Sequence, residues 1–263
     1  MADEELKVTS DGPVTTLTLD RPGCRNALTA SMLEALVATL RAAALEPATR
    51  CVVLGGAGGH FSVGMDLSAM ANATPLENQR LIGAGGPLRR AISAIEGFAY
   101  PVIARLDGYA VGAGCELAMS CDLRAGTPET KMGMPPSRLG IVYPPEGLGR
   151  FSNLLGPLVA KKLFLTARYY QGEELEKMGM LDFMCDKGEL EGFVSSLATD
   201  VAGLAPMSLK GHKRLFNAIT RSALSNEAMG ESLALIMKAM ASDDAKEGIT
   251  AFLEKRKPEF KGM

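Results

Sequence analysis

The amino-acid sequence predicts an α/β fold, because strand-like segments alternate with glycine-rich loops and helix-prone segments. Residues 51–54 form a short apolar, strand-like run that enters the glycine-dense loop 55–66. Residues 101–106 repeat this arrangement, since a second glycine loop follows them and leads into the helix-prone segment 115–121. With 263 residues, 47% of them hydrophobic, the chain is long enough to bury a large core.

The segment before residue 51 contains a strand and an amphipathic helix. Residues 14–20 alternate β-favouring side chains and close on an Arg-Pro-Gly turn, which predicts the strand. Ser31 and Glu34 match a capping box, and apolar residues recur at helical spacing from there to Pro47. These apolar positions are Leu33, Leu36, Val37, Leu40 and Ala44. Another helix is expected over much of 76–98.

From about residue 157 the pattern is mostly helical, interrupted by a short strand expected at 181–185. Apolar spacing predicts three final helices, at 207–221, 224–241 and 243–257. We therefore predict a core over residues 1–204 and a C-terminal α-helical region over residues 205–263.

Charge and hydropathy argue against two kinds of partner. Lys and Arg total 28 against 30 Asp and Glu, a net charge of −2, so no global field attracts nucleic acid. No run of about 18 or more apolar residues occurs, so no membrane-spanning segment is expected. The chain starts with acidic residues and lacks the pattern of a secretory signal. We expect a cytoplasmic protein without a nucleic-acid or membrane partner.

Cysteine and histidine usage argues against a metal site. The five cysteines are scattered and show no C-x-x-C spacing, which favours reduced packing residues over a disulfide framework or a zinc site. The chain has two histidines, His60 and His212, which lie far apart in the sequence. This small number argues against a His-based metal cluster and against a Ser-His-Asp triad.

The segment 107–122 is the most specific candidate for chemistry. Its small residues let backbone N–H groups approach a ligand, and a helix directly behind them directs its positive end at developing negative charge. This arrangement suits a thioester oxygen that becomes an enolate. A tight strand-to-helix turn in which Glu116 complements the helix dipole explains the pattern equally well. Nucleotide binding ranks lower, because the glycines do not follow G-x-G-x-x-G and no P-loop occurs.

Five sequence blocks together resemble the crotonase (enoyl-CoA hydratase/isomerase) family. The blocks, in family order, lie at 20–28, 60–67, 108–122, 139–140 and 247–260. The resemblance covers nearly the whole chain and implies a spiral of repeated strand-strand-helix units. It also implies C-terminal helices that pack between subunits into a trimer or hexamer. The apolar face of the last predicted helix, with Ile249, Phe252 and Leu253, is consistent with that expectation.

The resemblance further implies an oxyanion hole built from two backbone N–H groups, which fall on Met65 and Ala113. Alanine stands where many family members have glycine, but the donor is backbone, so the assignment holds. No metal or redox cofactor is expected, because CoA arrives as part of the acyl-CoA substrate.

Glu116 matches a catalytic carboxylate of the family's hydratases. The second hydratase glutamate falls on Pro136, which cannot exchange a proton. Glu146 lies in the loop where some relatives place their acid, and it equally suits a charge at a helix N-terminus. The substrate-binding residues implied by the resemblance are Arg25, Ala27, Gly64, Asp66, Leu67, Gly112, Phe252 and Lys255. For Lys255, a solvated helix end is the alternative.

The leading function is hydration of a 2-enoyl-CoA, with Glu116 and Glu146 as acid and base. A shift of the double bond between the 3 and 2 positions needs one carboxylate and is the first alternative. A relative that binds acyl-CoA or RNA without catalysis is an alternative of another class, and the mildly acidic charge balance weakens its RNA version.

Overall fold

A computed structural model describes residues 5–71, 75–83, 85–221, 242–244, 247, 251, 254, 256 and 258–262. The strands are β1 Leu6–Asp11, β2 Val14–Leu19, β3 Cys51–Gly56, β4 Val102–Leu106, β5 Tyr109–Val111, β6 Leu123–Gly126, β7 Lys131–Gly133, β8 Tyr169–Gln171 and β9 Phe183–Met184. The α-helices are α1 Ala30–Leu45, α2 Leu67–Ala71, α3 Pro75–Ile82, α4 Pro87–Gly97, α5 Ala113–Ser120, α6 Pro145–Leu155, α7 Pro157–Thr166, α8 Glu173–Lys177, α9 Leu190–Ala202 and α10 Pro206–Arg221. Within these ranges no helix is long and apolar enough to cross a membrane.

The strands form two sheets, between which the chain alternates. The larger sheet has the order β1-β2-β3-β4-β6-β9, in which only the β1–β2 pair is antiparallel. The smaller sheet has the order β5-β7-β8, with β5 parallel to β7 and β8 antiparallel to it. Strands β4 and β5 therefore lie in different sheets and lead into α5, as one strand-strand-helix unit. The predicted α/β fold is confirmed.

The central strand β3 of the larger sheet is buried on both faces, as is usual for a parallel strand between helices. In β3, Val52 and Leu54 face the main core with α1 and α4. Cys51 and Val53, on the opposite side, pack with α9. This explains why the sequence of β3 is a continuous apolar run and not an alternating one.

Three details differ from the sequence prediction. Helix α1 begins at Ala30, and its N-cap is Thr29, whose side chain accepts a hydrogen bond from the Met32 N–H at 3.0 Å, so the predicted Ser31 cap is wrong. The helix expected over 76–98 is two helices, α3 and α4, because Gly86 and Pro87 begin a new helix. Strand β1, which the sequence analysis missed, has mostly exposed side chains and pairs with β2 through its backbone.

Helix α10 belongs to the region predicted as a separate C-terminal unit, yet a buried lysine ties it to the core. The Lys213 ammonium donates to the Ile95 and Tyr100 carbonyls at 3.2 and 3.0 Å and pairs with Asp122 at 2.6 Å. The predicted helices at 224–241 and 243–257 lie largely outside the described residues.

Candidate active site

Two chain segments meet at the candidate oxyanion hole, one around Gly64 and one at the start of α5. The Leu28 N–H donates to the Gly64 carbonyl at 2.8 Å, and the Asp66 N–H donates to the Leu28 carbonyl at 3.0 Å. On the other side, the Val111 N–H donates to the Ser62 carbonyl at 2.9 Å. These bonds hold the loop between β5 and the segment that precedes α1.

Glycine is required at two positions of this junction. Gly64 has a φ of +94° and Gly112 a φ of +56°, conformations that side chains with a Cβ rarely adopt. A Cβ on Gly64 would lie 2.8 Å from the Val111 carbonyl oxygen and 3.2 Å from the Ala113 nitrogen. The backbones around Gly64 and Ala113 are therefore adjacent only because residue 64 has no side chain.

The two predicted oxyanion donors have N–H groups without a backbone acceptor among the described residues. Ala113 is the first residue of α5, where a helical N–H has no intrahelical partner. Leu28 forms backbone hydrogen bonds with the Gly64 carbonyl and the Asp66 N–H. The N–H of Met65, which lies between these residues, takes part in neither bond. Because Ala113 has a helical backbone and a negative φ, alanine fits there as well as glycine does. Both N–H groups are therefore free of backbone acceptors among the described residues, as oxyanion donors need to be.

An apolar cavity of about 230 Å³ adjoins these donors. Met65, Gly112 and Ala113 line it, and apolar side chains supply much of the wall. Among the apolar lining residues are Leu67, Leu88, Val111, Pro136 and Ile141. Pro136, which replaces the second hydratase glutamate, is therefore part of the cavity wall.

Glu116 lies in the first turn of α5 and is completely buried, with 0% of its surface exposed. One carboxylate oxygen accepts hydrogen bonds from Arg89 of α4 and from the Tyr143 hydroxyl. The other accepts from Arg150 of α6 at 2.7 Å, and Arg150 also pairs with Glu96 at 2.7 Å. Two arginines and one tyrosine thus fix the carboxylate.

Burial and charge perturb the groups that surround Glu116. Burial alone would lower the pKa of Arg89, but the hydrogen bond and charge of Glu116 outweigh it and raise that pKa. Burial also raises the pKa of the Tyr143 hydroxyl well above its ordinary value, and the negative charge of Glu116 adds to this effect. Tyr143 is therefore neutral near pH 7.

Tyr143 connects the cavity to the buried carboxylate. It is among the residues that line the cavity, whereas Glu116 is not. Gly147 allows this contact, because a Cβ there would lie 2.5 Å from the Tyr143 ring and 3.0 Å from Glu116 Oε1. Tyr143 therefore contacts both the cavity and the buried carboxylate.

Glu146 occupies the first turn of α6, where its side chain is exposed. It is absent from the described lining of the cavity. Its charge contributes to the raised pKa of Arg89, so it lies near the outer side of the Glu116 network. Catalysis by Glu146 stays a prediction.

The other predicted binding residues fall into three groups. Gly64, Leu67 and Gly112 line the cavity. Ala27 and Asp66 are bound by Arg21, which donates to the Ala27 carbonyl at 2.7 Å and pairs with Asp66 at 3.0 Å. Arg25 has its guanidinium carbon 5.5 Å from the centre of the Tyr109 ring. Phe252 and Lys255 lie outside the described residues.

The sequence analysis missed the three residues that hold Glu116. Arg89, Tyr143 and Arg150 are 27 or more positions away from Glu116, so no local pattern connects them. One signal was available: Arg89 directly follows Leu88 in a helix whose other core positions are apolar, and a buried arginine needs an acidic partner. Within the described ranges, no group of three or more His, Cys, Asp or Glu residues could hold a metal ion.

Comparisons with known proteins find relatives of the chain in sequence and in fold. A family model described as enoyl-CoA hydratase/isomerase matches residues 9–263. A short-chain-enoyl-CoA hydratase of Clostridium acetobutylicum is 31% identical, with 95% of this chain and 94% of the relative covered. A 2,3-dehydroadipyl-CoA hydratase of Escherichia coli is 31% identical over 98% and 99% of the two chains. The structure of an enoyl-CoA hydratase/isomerase family protein from Hyphomonas neptunium superposes with a TM-score of 0.90, at 29% identity and 98% coverage of both chains.

Proposed function

Because the chain belongs to the enoyl-CoA hydratase/isomerase family, we propose that it binds an enoyl-CoA thioester and moves a proton next to the thioester carbonyl. One observation supports this proposal: Gly64, directly before Met65, lies against the Ala113 nitrogen, and Met65 and Ala113 both line an apolar cavity. Backbone donors placed at a developing oxyanion stabilise the transition state by about 2.7–4 kcal/mol each. The thioester oxygen would accept both N–H groups as the enolate forms.

Tyr143 and Glu116 would carry the proton. The tyrosine hydroxyl donates to Glu116, and Tyr143 lines the cavity. The hydroxyl would take a proton from the substrate while it passes its own to the carboxylate. Reversal of the same steps returns the proton to another carbon. The arginines at Glu116 hold the carboxylate in place.

This arrangement favours the double-bond shift, because one relay both removes and returns the proton. Hydration of a 2-enoyl-CoA is the second candidate, and the names of the relatives favour it. Hydration also requires a group that activates water. Pro136 cannot supply it, and Glu146 lies outside the described cavity lining, so the geometry supports hydration less well.

We further propose that the reaction needs no metal or redox cofactor, because the backbone donors and the Tyr143–Glu116 pair supply the charge stabilisation and the proton transfer. Arg25 remains a candidate contact to CoA, as do Phe252 and Lys255. Assembly into a trimer or hexamer is also a proposal, which light scattering at micromolar concentration would test. A monomeric mass would contradict it.

The reaction can be assigned by incubating the protein with matched 2-enoyl-CoA and 3-enoyl-CoA esters, separating the two isomers by chromatography and measuring the product masses by mass spectrometry. Isomerisation converts one ester into the other without a change in mass, whereas hydration adds the mass of one water. We expect conversion of the 3-enoyl ester. A protein that binds both esters and converts neither would be a non-catalytic relative, and the proposed function would be wrong.

A further inference from the structure

The wall of the acyl cavity contains an isolated positive charge. Of the described residues that line the cavity, Arg138 is the one with a charged side chain. Its neighbours in the wall are apolar, among them Leu139, Ile141 and Pro136. Arg138 is exposed, so its charge lies where the cavity meets solvent.

Arg138 has no acidic partner among the described residues. Arg138 is exposed, whereas the buried arginines Arg89 and Arg124 each pair with a carboxylate of the chain. The guanidinium carbon of Arg138 instead lies 5.1 Å from the centre of the Tyr169 ring, and Tyr169 also lines the cavity. Stacking on an aromatic ring orients a guanidinium and leaves its N–H groups available to an anion.

The backbone that carries Arg138 is rigid. The residue lies in a 3-10 turn, Pro136–Leu139, that follows Pro135 and ends at Gly140, which has a φ of +68°. Two successive prolines fix their φ angles, so the turn has little freedom to move. Together with the tyrosine contact, this places the charge at a defined point of the cavity before any ligand binds.

We infer that Arg138 binds a carboxylate at the far end of the acyl group, so that the substrate is the CoA monothioester of a short dicarboxylic acid. This inference rests on the proposed function, because the oxyanion donors fix the other end of the acyl group. Arg138 and the proposed donors Met65 and Ala113 line the same cavity of about 230 Å³, so an acyl group held at the donors can have its other end near the guanidinium. A guanidinium suits a carboxylate because it can donate two parallel hydrogen bonds.

Binding of two five-carbon thioesters, glutaryl-CoA and pentanoyl-CoA, tests the inference without turnover. Isothermal titration calorimetry would compare the wild type, Arg138→Gln, and Arg168→Gln as a control at an exposed arginine outside the described lining. We expect the wild type and the control to prefer glutaryl-CoA by at least about tenfold. Arg138→Gln should weaken glutaryl-CoA binding about tenfold to hundredfold and leave pentanoyl-CoA binding unchanged.

Two results would overturn the inference. The first is a wild type that binds both thioesters equally. The second is an Arg138→Gln variant that weakens the binding of both thioesters to the same degree, because Arg138 would then contact a phosphate of CoA. In that case the loss of affinity should disappear with pantetheine thioesters, which lack the nucleotide phosphates. A wild type that binds neither thioester would instead reject the proposed function itself.

Discussion

Replacing Gly64 with alanine should impair the oxyanion hole without touching a titratable group. The new Cβ would lie 2.8 Å from the Val111 carbonyl oxygen, against the 3.4 Å at which ordinary contact begins, a shortfall of 0.6 Å. A backbone shift that relieves this contact would move the neighbouring Met65 N–H away from the thioester oxygen. Oxyanion donors must lie about 2.7–3.1 Å from that oxygen. Complete loss of one donor costs about 10²–10³ in kcat. For partial displacement we expect a fall of roughly tenfold to hundredfold.

The same substitution should also lower stability, because the φ of Gly64 is +94°. An alanine held in such a conformation costs about 1–3 kcal/mol. For a chain of this length, that corresponds to a fall in Tm of roughly 3–10 °C. Gly97→Ala is a matched control, since a Cβ at the exposed C-terminal end of α4 would meet no atom within 4 Å.

The assay is kcat on the preferred enoyl-CoA at a temperature where both variants are folded, with calorimetric binding of a saturated acyl-CoA in parallel. We expect kcat to fall while binding changes little, because the donors act mainly on the enolate. Wild-type kcat in Gly64→Ala would refute the assignment of the oxyanion hole. So would an equal loss of kcat in Gly97→Ala.

Three further predictions concern the glutamates Glu116 and Glu146, Tyr143 and Lys213. Glu116→Gln should lower kcat roughly hundredfold. Glu146→Gln should leave kcat near the wild-type value if a single carboxylate acts. Equal losses of kcat in the two variants, measured in discontinuous assays, would favour hydration by two carboxylates. Tyr143→Phe should lower kcat about tenfold or more. Folding raises the pKa of the Tyr143 hydroxyl. The hydroxyl therefore stabilises the folded state fully below about pH 10, and this stabilisation is lost as the pH rises towards the pKa in the folded protein. The stability gap between wild type and Tyr143→Phe, measured by urea unfolding, should therefore narrow above pH 10, and a constant gap would contradict this assignment. Lys213→Met should cost about 1–3 kcal/mol in urea unfolding, because it leaves the partly buried Asp122 without its ion-pair partner, and a cost below about 0.5 kcal/mol would contradict that role.

The order of elements could be predicted because each carries a local signal. The apolar run of β3 and the helical spacing of α1 both correspond to buried faces. Strand β1 could not be predicted in this way, since its exposed side chains follow no hydrophobic pattern and its partner β2 determines its conformation. The capping residue was misplaced by two positions because Thr29 and Ser31 are chemically similar, and both hydroxyls donate to Glu5.

At the candidate site, the sequence predicted the residues whose role depends on backbone geometry. Glycine at 64 and 112 is needed for a positive φ, so its presence in the sequence was informative. The partners of Glu116 could not be predicted, because α4, the loop before α6, and α6 bring them together only in the folded chain. The contact between Arg138 and Tyr169 could not be predicted either, because the 3-10 turn and β8 come together only in the folded chain.

Exchange of the α-hydrogens of butyryl-CoA for deuterium in D₂O tests enolate formation most directly, since it requires neither water addition nor a double bond. Mass spectrometry would follow the mass of the recovered thioester. We predict deuterium incorporation with the wild type, and its loss in Glu116→Gln and Gly64→Ala. A wild type that binds butyryl-CoA and incorporates no deuterium above the buffer rate would contradict enolate chemistry at Met65 and Ala113.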